Sequence, residues 1–157
     1  MSIKITVPGY DDLELEHLVL DYNGTLACDG KLLDGVGEIL RRLSKKIKIH
    51  VVTADTFGHV NLELVDVPCS ITILPMGSQD EGKREYIIGL GPDVTVCMGN
   101  GRNDKLMLKE AALGIAVIMG EGAARGTLLV ADVICTDIIS ALELLENPLR
   151  LTATLRS

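Results

Sequence analysis

The sequence predicts an α/β fold: a three-layer, Rossmann-like parallel sheet flanked by helices, with no cap domain. Three observations predict it. Apolar, β-branched runs alternate with helix-length segments along the chain, the pattern of right-handed βαβ units. Apolar residues make up 47% of the 157 residues, with no Trp and one Phe. The core is therefore aliphatic, which suits strands buried on both faces. No repeat, low-complexity tract or linker interrupts the pattern, so a single domain over 1–157 is expected, a length that one core supports.

The elements follow in order. A strand is expected at Ile3–Val7, ended by Pro8-Gly9 and Asp11-Asp12, as an antiparallel addition at a sheet edge. Further strands are expected at His17–Tyr22, Lys48–Thr53, Ser70–Leu74, Val94–Met98, Gly114–Ile118 and Asp132–Cys135. Helices are expected near Gly35–Lys45, Phe57–Val65, Gln79–Leu90 and Asp104–Ala112, with a C-terminal helix over about 137–147 beginning at Asp137. A small flap hairpin is expected at about 26–33, where Leu26-Ala27-Cys28 and Lys31-Leu32-Leu33 flank Asp29-Gly30.

Composition excludes several functions. A net charge of -7 opposes a nucleic-acid surface, which needs a basic patch. No stretch approaches the roughly 18 apolar residues of a membrane span, and the opening MSIKITVPGYDD lacks the apolar run of a signal peptide. The four cysteines, Cys28, Cys69, Cys97 and Cys135, have neither zinc nor redox spacing. They read as reduced thiols of a cytoplasmic protein.

In open α/β sheets the site lies at the carboxyl ends of the strands. Three expected strands end in small, polar clusters: Asp21-Tyr22-Asn23-Gly24-Thr25, Thr53-Ala54-Asp55-Thr56, and Gly99-Asn100-Gly101-Arg102-Asn103-Asp104. With Lys83 at the start of a helix between the second and third, these resemble the four motifs of the haloacid dehalogenase superfamily, in order. The last cluster is similar to that of P-type ATPases. The likeness covers roughly residues 13 to 150, and points to a soluble, capless, P-type-ATPase-like member.

The resemblance implies a Mg2+-dependent phosphoryl hydrolase acting through an aspartyl-phosphate. The residues suit that chemistry. A carboxylate can attack phosphorus, and a strand end aims Asp21 outward. Gly24 lets the loop turn so that backbone amides face phosphate. Thr53 and Ala54 can contact phosphoryl oxygens, and Lys83 can neutralise both Asp21 and the transferring group. Asp21, the Asn23 carbonyl, Asn100 and Asp104 supply hard oxygens for Mg2+. Lys105 and Lys109 are the rivals of Lys83, while Asp55 reads as a helix cap. Thr25 reads as a turn hydroxyl, and His17, His50 and His59 as structural.

Two residues depart from the resemblance. Asn23 stands where phosphatases of the superfamily carry a second Asp as general acid and base. An amide can hydrogen-bond a leaving oxygen but cannot exchange a proton with it, so slow turnover is expected. Asn100 stands where a metal-binding Asp is usual. These departures favour one alternative, a phosphate- or nucleotide-responsive binding module with little turnover. The expected partner is a small phosphorylated substrate or a phosphoprotein, and an open site leaves room for a homo-oligomer.

Overall fold

The computed structural model describes residues 1–54 and 58–157. Six parallel strands form the central sheet: β3 (His17–Leu20), β6 (Lys48–Thr53), β7 (Ser70–Ile73), β8 (Thr95–Gly99), β9 (Leu113–Val117) and β10 (Val133–Cys135). Their order is β10-β9-β8-β3-β6-β7. The chain runs outward from β3 to β7, then crosses back to β8 and continues the other way. The strand order therefore reverses at β3, and its carboxyl end is the switch point where ligands bind in such sheets.

Side-chain alternation builds the layers. In β3, Leu18 and Leu20 join the larger apolar cluster while Val19 joins the smaller one on the opposite face. The larger cluster packs α1 (Val36–Leu43), α2 (Val60–Glu63), α6 (Ile138–Glu146) and α7 (Pro148–Leu155) against the sheet. In α1, Val36, Ile39, Leu40 and Leu43 are buried, the spacing of one helical face. The other face carries α3 (Gln79–Leu90), α4 (Lys105–Glu110) and α5 (Arg125–Val130), through Ile87, Met107, Leu108 and Leu128.

Several expectations need correction. The opening strand, β1 (Ile3–Ile5), is antiparallel, but it pairs with β2 (Leu13–Leu15) in a separate two-stranded sheet. Thr152 Oγ1 donates to the Thr6 carbonyl and Ser157 N to the Pro8 carbonyl, so this ribbon is tied to α7 rather than to the main sheet's edge. The expected C-terminal helix ends at Glu146, and Pro148 starts α7, because proline suits a first helical turn. The helix expected from Phe57 is only α2 in the described residues, with Phe57 and Asp55 outside them. Helix α5 lies in Arg125–Val130, too short a segment for its periodicity to be read. The flap is present as β4 (Ala27–Cys28) and β5 (Lys31–Leu32). No helix among the described residues is long and apolar enough to cross a membrane.

At the amino ends of β3 and β6, away from the switch point, His17 Nδ1 lies 3.0 Å from His50 Nε2, and His50 Nδ1 lies 2.9 Å from the Tyr86 hydroxyl. Burial, then His17 and Lys48, pull the His50 pKa from 6.5 down to about 4. Below the ordinary value the unfolded chain binds a proton that the folded chain refuses. Stability therefore falls as pH drops from about 6.5 to about 4. Denaturant unfolding across that range should show a shallower pH dependence in His50→Gln than in the parent; equal slopes would contradict this.

Candidate active site

The three clusters meet at the carboxyl ends of β3, β6 and β8. Their centre is a buried ion triad. Lys83, at 0% exposure, comes from the first turns of α3. Its Nζ lies 2.8 Å from Asp21 Oδ1 and 2.7 Å from Asp104 Oδ1. Lys105 and Lys109 are exposed, so of the three lysines Lys83 is the one buried between these carboxylates. The second oxygen of Asp104 accepts from the backbone N–H groups of Asn100 and Gly101, at 3.0 and 2.9 Å. Asp104 thus fixes the lysine and caps the loop at once. Gly99 makes room for it: a Cβ there would sit 2.5 Å from the Asp104 Cγ.

Charge explains the titration of the triad. Burial raises the Asp21 pKa, the Asp104 charge adds to that, and Lys83 and Thr25 oppose both; the balance is about 6. Burial lowers that of Lys83, but the two carboxylates together outweigh it and hold the ammonium above its usual value. Two carboxylates and one ammonium leave one net negative charge, which a cation or a bound donor must face.

Thr25, expected only as a turn hydroxyl, is fully buried beside Asp21. Its Oγ1 lies 3.1 Å from Asp21 Oδ2 and 3.4 Å from Asn100 Oδ1. Three oxygens converge there and share one hydroxyl hydrogen. No hydrogen bond reaches the Asn23 carbonyl among the described residues. Those oxygens fit a hard cation such as Mg2+. No group of three or more His, Cys, Asp or Glu suited to a metal occurs among the described residues, so such a site would rest partly on amide and carbonyl oxygens.

Asn23 is placed differently from the expectation that it simply faces the phosphate. Its Oδ1 accepts from the Gly30 N–H at 3.1 Å, which ties the loop to the flap. That donor requires an oxygen, so the Nδ2 donor is the end left to the pocket. Gly24 has φ +82°, and a Cβ there would collide with the Asn100 side chain; glycine is needed for both reasons. Asn100 Nδ2 in turn donates to the Gly122 carbonyl at 3.0 Å.

These groups line a cavity of about 140 Å3, formed by Asp21, Asn23, Thr53, Ala54, Asn100, Gly101, Asn103 and Glu121. At about 30 Å3 per water it holds some four or five waters, room for one small anion. A groove of about 560 Å3 adjoins it through Asn103, walled by Met76–Asp80 and Arg102. Thr25 and Glu121 are the site groups that sequence reasoning missed. A glycine-flanked acid after β9, at a fourth strand end, was the available signal for the second.

The fold is that of the haloacid dehalogenase superfamily phosphatases. The 3-deoxy-D-manno-octulosonate 8-phosphate phosphatase of Moraxella catarrhalis, solved with magnesium, phosphate and its sugar acid, is similar over 90% of this chain and 94% of that one, with TM-score 0.71 and 20% identity. The cobalt-bound enzyme of that name from Haemophilus influenzae is similar over 91% and 94%, with TM-score 0.71 and 12% identity. A phosphoserine phosphatase is similar over 82% and 98%, with TM-score 0.65 and 15% identity.

By sequence the chain belongs to the same family as uncharacterized protein MJ0072 of Methanocaldococcus jannaschii, to which it is 46% identical over 39 residues, 25% of this chain and 89% of that protein. It is also 52% identical over 61 residues to uncharacterized protein MJ0073 of that organism, 39% of this chain and 66% of that protein, just under two thirds of the relative's length. No family model matches the chain.

Removing Lys83 leaves two buried carboxylates without a counter-ion. Lys83→Met should lower stability at neutral pH by about 3–5 kcal/mol, measured by urea unfolding. A loss below about 1 kcal/mol would show that the triad is not held as described.

Proposed function

We propose that this chain is a Mg2+-dependent phosphoryl hydrolase that acts through an aspartyl-phosphate on Asp21. The observation that carries the reading is the pairing of Asp21 with Lys83 at the switch point, beside a cavity the size of one small anion. The fold shared with phosphatases, two of them solved with a divalent ion, supports it.

Each residue has a task in this reading. One oxygen of the Asp21 carboxylate attacks phosphorus; Lys83, on Oδ1, limits rotation of the carboxylate, and Oδ2 faces Thr25. Asp104 keeps Lys83 in place. Thr53 and the Asn23 amide nitrogen donate to phosphoryl oxygens, and the backbone at Ala54 lines the same wall. Asp21 Oδ2, the Asn23 carbonyl and the Asn100 Oδ1 would hold Mg2+; Asp104, spent on Lys83 and two amides, would reach it only through water. The ion supplies charge neutralisation for the transferring group. The substrate is a small phosphorylated compound or a phosphoprotein side chain. Asn23 has no proton to exchange, so it gives the breakdown of the phosphoenzyme no acid–base help.

The binding-module alternative rests on Asn23 and Asn100. Turnover separates the two. With 4-nitrophenyl phosphate and Mg2+, the parent should turn over, and Asp21→Asn should lose at least about 10³-fold with its fold intact by circular dichroism. Excess chelator should abolish the parent's activity, and added Mg2+ should restore it. A parent that binds phosphate without turnover would select the module. A variant as fast as the parent would refute Asp21 as nucleophile.

A further inference from the structure

The turn after β9 places at the pocket wall an acidic residue, Glu121, that none of the sequence motifs contains. Glu121 lines the same 140 Å3 cavity as Asp21 and Asn23. It also lines a 300 Å3 cavity under the flap, with Gly24, Ala27, Cys28, Leu33 and Met119. Among the described residues it makes no hydrogen bond and no ion pair. It is exposed.

The turn is fixed to the site. The Gly122 N–H donates to the Met119 carbonyl at 2.8 Å, and Gly122 has φ +70°. Asn100 holds the turn from below, donating from Nδ2 to the Gly122 carbonyl at 3.0 Å and accepting from the Ala124 N–H at 2.8 Å. A carboxylate at position 100 has no N–H and would face that carbonyl with an oxygen. From the other side the flap abuts the turn, since a Cβ on Gly120 would meet Cys28 Sγ at 3.5 Å. The asparagine that replaces one expected acid therefore positions another acid, between the nucleophile and the flap.

We infer that Glu121 is the proton carrier of the pocket, doing what Asn23 cannot; this rests on Asp21 being the nucleophile. In the first step an Asp21 oxygen bonds to phosphorus and the bond from phosphorus to the leaving oxygen breaks. Protonated Glu121 gives its proton to that oxygen, and the alcohol departs. In the second step a water oxygen bonds to phosphorus, the bond from phosphorus to Asp21 breaks, and Glu121 takes the water's proton. Inorganic phosphate leaves, and Glu121 is protonated for the next round.

The test compares the parent, Glu121→Gln and Asn23→Asp/Glu121→Gln at saturating Mg2+. The probes are 4-nitrophenyl phosphate, a good leaving group, and phenyl phosphate, a poor one. Glu121→Gln should form phosphoenzyme from the nitrophenyl ester within about threefold of the parent rate. Its phosphoenzyme should decay about 10²-fold more slowly, and its loss should be larger on phenyl phosphate. Adding Asn23→Asp should restore decay by about tenfold or more, because it returns a carboxylate to the pocket. Equal decay in parent and Glu121→Gln overturns the inference and leaves Asp21 standing. A slower decay that a further rise in Mg2+ removes also overturns it, since the residue would then serve the ion. If the parent itself forms no phosphoenzyme and turns nothing over, the Asp21 reading fails and the inference with it.

Discussion

The site depends on one ammonium held between two carboxylates. Lys83 has no exposure, and Asp21 and Asp104 lie within 2.8 Å of it. An isolated buried lysine would shed its proton, and an isolated buried carboxylate would take one up. Each charge survives only because the others are there. The triad joins three elements distant in sequence: the end of β3, the start of α3 and the loop after β8. It leaves one carboxylate oxygen of Asp21 turned toward Thr25 and Asn100, the direction from which a donor can be met.

The glycines around the triad have the same origin. Gly99 clears the space that the Asp104 carboxyl fills, and Gly24 clears that of the Asn100 side chain. A methyl group at either point would push apart loops that must touch. The two asparagines also become intelligible. Asn23 accepts from the flap with its oxygen, and Asn100 donates to the Gly122 turn with its nitrogen. Each links the strand-end loop to a neighbouring turn, a task that needs an amide in the case of Asn100.

The central sheet was legible in the sequence because its strands are short apolar runs set between helical segments. The opening ribbon was half legible. Ile3–Ile5 carries a strand pattern, but its partner Leu13–Leu15 is three residues long and directly precedes β3, so nothing local separates the two. Helices α5 and α7 escaped because one is six residues long and the other follows α6 after a single residue. In the site, Asp21, Thr53, Lys83 and the Asn100–Asp104 loop were readable from their order along the chain. Asp55 lies outside the described residues. The buried role of Thr25 and the place of Glu121 were not readable, because both follow from which loops come together across the sheet.

The proposed mechanism requires a carboxylate oxygen of Asp21 to become phosphorylated. The most direct measurement is to quench the protein in acid during turnover of a phosphate donor with Mg2+, reduce the trapped acyl-phosphate with borohydride, and map the modified residue by peptide mass. Homoserine should appear at position 21 and at no other position. Modification elsewhere, or phosphate release with no acyl-phosphate trapped at any time point, would contradict it.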